Sequence, residues 1–311
     1  MKILPLDVCD VSSQNKYKII KHLMSAAPLS RGDSAKALGL SSVTVGKIAS
    51  SMLDGGILVR QKTSGGVGRS TELLSASSSL CVLAINFGED AFCASLITLD
   101  KAQRTLHKHP RNKSYSYTED INVFLSTTER KLNEMSNNIF IGVFVSYYDK
   151  SPKELGVSIG SVLGLEPDII MHSQDALGIA YKNRGIDIAL HIDISEIVKP
   201  MLFVDGKSIS KAANGYTPKE ANEYDIALEL AQYLKSLFKA TVPNTIAIDS
   251  ESVTADKRFF ELVESKASDI IDTAQKSFPS VIDQRNITLI SEAALDVITE
   301  LYAKRLANII D

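Results

Sequence analysis

Seven polar side chains near the start of the chain have types and spacing suited to holding an extended polyanion. Ser41, Ser42, Thr44 and Lys47 span about two helical turns and offer three short hydroxyl groups and a cation. When a helix lies in the major groove of DNA, groups of this kind reach base edges and phosphate oxygens. Arg60, Lys62 and Arg69 flank a glycine-rich loop, where their cations suit backbone phosphates or a minor groove.

The elements that must carry these groups are legible around them. From Asn15 to Met24, the apolar Tyr17, Ile20, Leu23 and Met24 recur at helical spacing and define one buried face. Ser30 is placed to cap a short helix through Ala35, Ala37 and Leu38, and Gly39 to end it in the left-handed conformation. Leu40-Ser41-Ser42 opens a second helix, Val43 to Leu53, with Val45, Ile48, Ala49 and Met52 facing inward. Gly55-Gly56 closes it. Ile57 to Arg60 reads as a strand, Lys62 to Ser70 as a hairpin tip, and Glu72-Leu73-Leu74 as the returning strand. Three helices, two strands and a basic glycine tip in that order predict a winged helix-turn-helix, with base contacts from the second helix of the turn.

Composition and charge bound the rest. At 311 residues the chain has room for two or three domains. No apolar stretch is long enough to span a bilayer, and Pro5 interrupts the short apolar start, so neither a membrane span nor a signal peptide is expected. Three cysteines (Cys9, Cys81, Cys93) at unrelated spacing argue against a disulfide framework or zinc site and fit a reducing cytoplasm. None of the five histidines has metal-ligand spacing with a cysteine, and His107 and His109 read as a solvated edge. The formal charge of −3 is uneven: residues 1–75 hold ten Lys/Arg against five Asp/Glu, the remainder 24 against 32. Positive charge thus gathers where DNA would be met.

Beyond Leu80 the pattern turns to buried strands alternating with helices in two comparable halves, which predicts an α/β fold. Expected strands include Cys81–Phe87, Phe92–Asp100, a run ending in Leu106, Ile139–Val145, Ile169–Met171, Ile188–Ile192, Met201–Val204 and Thr245–Asp249. Expected helices cover 119–135, 174–183, 225–239, 256–274 and 292–309. Gly88-Glu89-Asp90 and Asp205-Gly206-Lys207 read as hairpin turns.

This order of elements resembles the ROK family, which groups sugar-responsive bacterial repressors with sugar kinases. The resemblance covers nearly the whole chain. It is carried by Ser30-Arg31, the Gly39-Leu40-Ser41 turn, Gly68-Arg69, Gly142, Asp175-Ala176, the Val204 to Lys207 hairpin and Asn214-Gly215-Tyr216. It implies a winged helix over 1–75 and a two-lobed, actin-like body over 76–311.

The family's functional motifs are mostly replaced. Where kinases of the family carry D-x-G-G-T, this chain has Asn86-Phe87-Gly88-Glu89-Asp90, whose carboxylates would repel ATP phosphates. Its counterpart to the second phosphate loop, Ile194 to Val198, contains no glycine, so backbone amides cannot closely approach a phosphate. Asp249-Ser250 replaces a late glycine pair. The resemblance makes Gln174, Asp175, Lys219 and Asn222 the remains of a sugar-type effector cleft, Asp175 being the family's general base. Asp175 read alone is more simply a helix cap. Asn222 stands where the family has a histidine ligand, and its cysteine cluster is absent, so no metal and no cofactor are expected.

These readings converge on a cytoplasmic transcription regulator, a repressor of carbohydrate-related genes, with a non-catalytic body. The resemblance implies a homodimer or higher homo-oligomer on a palindromic operator, with the effector left open. Two alternatives remain: a sugar kinase with an appended DNA-binding domain, and a regulator sensing a non-sugar ligand or a protein.

Overall fold

A computed structural model of the chain describes all residues except 1–10, 26–27, 63–71, 113, 136–138, 149–151, 195–197, 284–285, 310–311 and most of 210–242 and 250–279. The chain divides into two compact units, one formed by Met1–Met171 with Ala294–Asp311, the other by His172–Ala293.

The first unit begins with α1 (Val11–Ser25), α2 (Arg31–Leu38) and α3 (Ser42–Asp54), followed by β1 (Leu58–Lys62) and β2 (Glu72–Ala76). Local chemistry explains their ends. Ser30 caps α2 by accepting from the Asp33 amide at 3.1 Å, and Gly39 terminates it at φ +65°. Ser41 caps α3 in the same way, accepting from the Thr44 amide at 3.1 Å. Ile19, Ile20, Leu23 and Met24 of α1 pack with Val45, Ile48, Ala49 and Met52 of α3, all nearly or fully buried. β1 and β2 pair antiparallel with Lys62 opposite Glu72, and Leu29 bridges to Leu74 in both directions at 2.8 and 3.0 Å.

Next in the first unit is a five-stranded sheet in the order β5-β4-β3-β6-β7. Its strands are β3 (Leu80–Phe87), β4 (Ala91–Thr98), β5 (Gln103–Pro110), β6 (Ile139–Tyr147) and β7 (Ile169–His172). β3 pairs antiparallel with β4 and parallel with β6, and β4 antiparallel with β5. The helices α4 (Tyr117–Asn133) and α5 (Pro152–Leu163) accompany it. α4 starts in a capping box of Ser116 and Glu119. α5 answers to no expectation from the sequence, because its two buried positions, Leu155 and Ile159, form too narrow a stripe to stand out.

The histidine pair is not a solvated edge. His107 stacks on Phe124 at 5.6 Å and His109 on Phe92 at 6.2 Å. Nε2 of His109 lies 2.7 Å from the fully buried Asp120 carboxylate, which also accepts from the Asn112 amide at 3.1 Å. Both histidines project from β5 toward the face that α4 covers, which leaves them half-buried.

The second unit repeats the sheet plan: the order is β10-β9-β8-β11-β12, antiparallel across the first three strands and parallel across the last three. Its strands are β8 (Ile188–Ile194), β9 (Val198–Val204), β10 (Lys207–Ser208), β11 (Thr245–Asp249) and β12 (Ser280–Asp283), with α6 (Ser173–Asn183) before them. β12 was not expected. The expected helices over 225–239 and 256–274 lie mostly outside the described residues.

The last helix, α7 (Asn286–Ala307), starts six residues before its expected beginning, and from Ala294 it belongs to the first unit. There Leu295, Ile298 and Leu306 are buried, whereas Ile309, beyond the helix end, is 61% exposed. Gly142 makes this packing possible: a Cβ on it would meet Ile298 at 2.5 Å and Asp168 at 2.9 Å. Asp168 accepts from the Val143 amide at 2.8 Å and pairs with Arg305. Glu300 accepts from Tyr17 and, at 2.7 Å, from Lys21, tying α7 to α1.

Candidate nucleic-acid interface

The outward side of α3 is built from what its inner side consumes. Burial of Val45, Ile48, Ala49 and Met52 fixes the rotation of the helix, and Ser41, Ser42, Val43, Thr44 and Lys47 are left exposed. Of these, Ser41 and Thr44 are partly occupied with each other: their hydroxyl oxygens lie 2.8 Å apart, besides the cap bond. Ser42 and Lys47 stand beside them on the exposed surface. Gly46 adds no side chain, and a Cβ there would meet nothing within 4 Å.

The cations expected around the loop fare differently. Arg60 is exposed on β1, with Nε 2.5 Å from a carboxylate oxygen of Glu72. Glu72 also lies 3.7 Å from Arg31, at the start of α2. Exposed pairs of this kind contribute little stability and open readily, so Arg60 and Arg31 can exchange Glu72 for a phosphate. Lys62 ends β1. Arg69 lies outside the described residues.

In the second unit, Gln174 and Asp175 occupy the first turn of α6 and border an open hollow of about 440 Å³ with Ile179, Gly206, Lys207, Ser208 and Ile209. The cap of α6 is His172, whose Nδ1 accepts from the Gln174 amide at 3.2 Å, and not Asp175. Asp175 lies inside the first turn with its carboxylate exposed, which suits the positive end of the helix. Close backbone contact sets the wall of the hollow: a Cβ on Gly178 would meet the Gly206 carbonyl oxygen at 2.0 Å. The turn itself places Asp205 and Gly206 at φ +48° and +73°, the pairing that a tight hairpin requires. Lys219 and Asn222 lie outside the described residues.

Asn86, at the first body hairpin, accepts from the Ser146 hydroxyl at 2.8 Å, and Gly88 donates its amide to Ala91 at 3.1 Å. A Cβ on Gly88 would lie 2.7 Å from the Ala91 oxygen, so this turn needs its glycine for closure. Among the described residues no group of three His, Cys, Asp or Glu could hold a metal ion, and no helix is long and apolar enough to cross a membrane.

No sequence family model matches the chain, and no curated protein does. Solved structures do. A ROK family transcriptional regulator, a homologue of the E. coli Mlc protein, is similar over 96% of this chain and 98% of its own at 14% identity and a TM-score of 0.63. The ROK hexokinase of Thermus thermophilus is similar over 69% of this chain and 97% of its own, at 11% identity and a TM-score of 0.46. A ROK glucokinase of Streptomyces griseus, bound to glucose and AMPPNP, matches 70% of this chain and 98% of its own at 8% identity and 0.48. The first likeness establishes that this chain has, across nearly its whole length, the α/β fold of a ROK family transcriptional regulator.

Proposed function

We propose that the chain is a DNA-binding transcriptional regulator whose residues 1–75 dock on double-stranded DNA as a winged helix-turn-helix. Residues 76–311 then serve as a non-catalytic, ROK-like body. The observation that carries this reading is the face of α3, where Ser42, Thr44 and Lys47 are exposed above a fully buried back. The net positive charge of residues 1–75 and the likeness to a ROK regulator over 96% of the chain support it. Ser41, Ser42, Thr44 and Lys47 meet base edges and phosphates, while Arg60, Lys62 and Arg69 hold the flanking backbone.

A single helix of this size makes few base contacts, so the body acts as a homodimer platform that presents two of them to a palindromic operator. The regulator is cytoplasmic and represses carbohydrate-related genes. The hollow at Gln174 and Asp175 is its effector site, weak toward simple sugars because Lys219 and Asn222 stand where the family has a glutamate and a histidine.

The test is selection of duplexes from a random pool by the full chain, followed by a salt series. Enrichment of one symmetric site is expected. Lys47→Ala should weaken binding to it and lower the salt slope by about one. A pool that never converges overturns the reading. The sugar-kinase alternative draws on Asp175, exposed beside the hollow. It predicts ATP turnover on some hexose or amino sugar that disappears in Asp175→Asn.

A further inference from the structure

Val43 is the most exposed large apolar side chain among the described residues, at 81%. A lone exposed valine means little in itself. The position of this one gives it meaning. At about 100° per residue, Val43 stands roughly 180° from Met52, in the middle of the outward face of α3. Lys47 lies about 40° from it around the helix, whereas Ser42 and Thr44 lie about 100° to either side. Of the two flanking hydroxyls, that of Thr44 is partly committed to Ser41, at 2.8 Å. Gly46, one turn further on, leaves open space beside it. The centre of the face is therefore an apolar knob next to a gap and a cation, rather than a row of hydrogen-bonding groups.

The major-groove edges of the four bases carry one alkyl group, the 5-methyl of thymine; the other features that tell the bases apart there are chiefly donors and acceptors. An exposed isopropyl group facing that groove gains by covering a methyl and loses by covering a polar edge. We propose that Val43 is a specificity-determining residue that reads a thymine methyl at one position of each operator half-site. This rests on the reading of residues 1–75 as a DNA-docking module, and it adds the base that the module selects.

Deoxyuridine keeps every hydrogen-bonding group of thymidine and lacks only the methyl, so it isolates the contact. Operator duplexes selected with the full chain are remade with each thymine replaced singly by deoxyuridine. Affinity is then measured for the parent chain, Val43→Ser and Val43→Ala. At one position per half-site the parent should lose about four-fold, the equivalent of one buried carbon (about 0.8 kcal/mol). Both variants, whose melting should match the parent because the side chain is exposed, should show little or no loss there. Equal losses in all three proteins, or no loss at any thymine, would overturn the assignment of Val43 while leaving DNA docking intact. A pool that enriches no duplex overturns the docking reading and this inference with it.

Discussion

The outward face of α3 and the hollow beside α6 both expose polar side chains, but they hold them by different means. On α3 the backbone is an ordinary helix, rigid because Val45, Ile48, Ala49 and Met52 are buried beneath it. Apart from Ser41, which caps the helix, the exposed residues there can change with little effect on the fold. At the hollow, the wall is set by backbone against backbone, Gly178 on Gly206, and half of what lines it belongs to a tight hairpin. Recognition on α3 is therefore free to diverge, while the hollow is constrained first by folding. On the proposed reading, the surface that meets DNA can change more easily than the body.

The harshest test of this contrast is Gly178→Ala. The added carbon would meet the Gly206 carbonyl, so the hairpin must shift, costing about 1–3 kcal/mol and several degrees of melting temperature. Operator affinity measured below the melting transition should stay as in the parent. A folded variant that loses operator binding would break the comparison.

No release is expected when sugars are titrated into the protein–operator complex. Common hexoses should leave the complex intact, as should Asp175→Asn. Release by a hexose at sub-millimolar concentration, followed by fluorescence anisotropy, would show that the hollow governs α3 after all.

Glu300→Gln should have a small effect. Burial raises the pKa of Glu300, but hydrogen bonds from Lys21, Tyr17 and Lys304 outweigh it and hold the carboxyl at about 2, against an ordinary value of 4.5. A carboxylate lowered in this way stabilises the fold fully above about pH 4.5 and loses that contribution as pH falls toward about 2. The group is partly exposed, so the variant should melt only about 1–3 °C below the parent at neutral pH. The deficit should shrink in acid. A deficit that stays constant across the pH range would show that the contact between α1 and α7 does not depend on this charge.

Much of the first 76 residues could be read from sequence because their signals are local. Ser30, Gly39 and the stripe from Val45 to Met52 each act within a few residues of themselves, and the structure has all three. The strands with long apolar runs, such as Leu80–Phe87, were equally plain. What escaped was set by distant partners. His107 and His109 are half-buried because Phe92, Phe124 and Asp120 pack against them, and Gly142 is needed because Ile298 arrives some 150 residues later. Helix α6 is capped by His172, an uncommon cap, rather than by the aspartate that cap preferences favour. At α3, the hydrogen-bonding types stand out in the sequence, whereas the exposure of Val43 at the centre of the outward face follows only from the rotation of the helix.

The discontinuity of the first unit also sets a timetable. Its sheet is translated early, yet the helix turns that fill the space over Gly142 are translated only after the whole second unit. Until Ile298 and Arg305 leave the ribosome, β6 has a bare glycine step and Asp168 lacks its arginine. The contact of Glu300 with Tyr17 and Lys21 must wait for the same segment. A ribosome paused short of residue 294 would therefore display α1 without its α7 partner. The step that secures α1 therefore comes only after the second unit has been made.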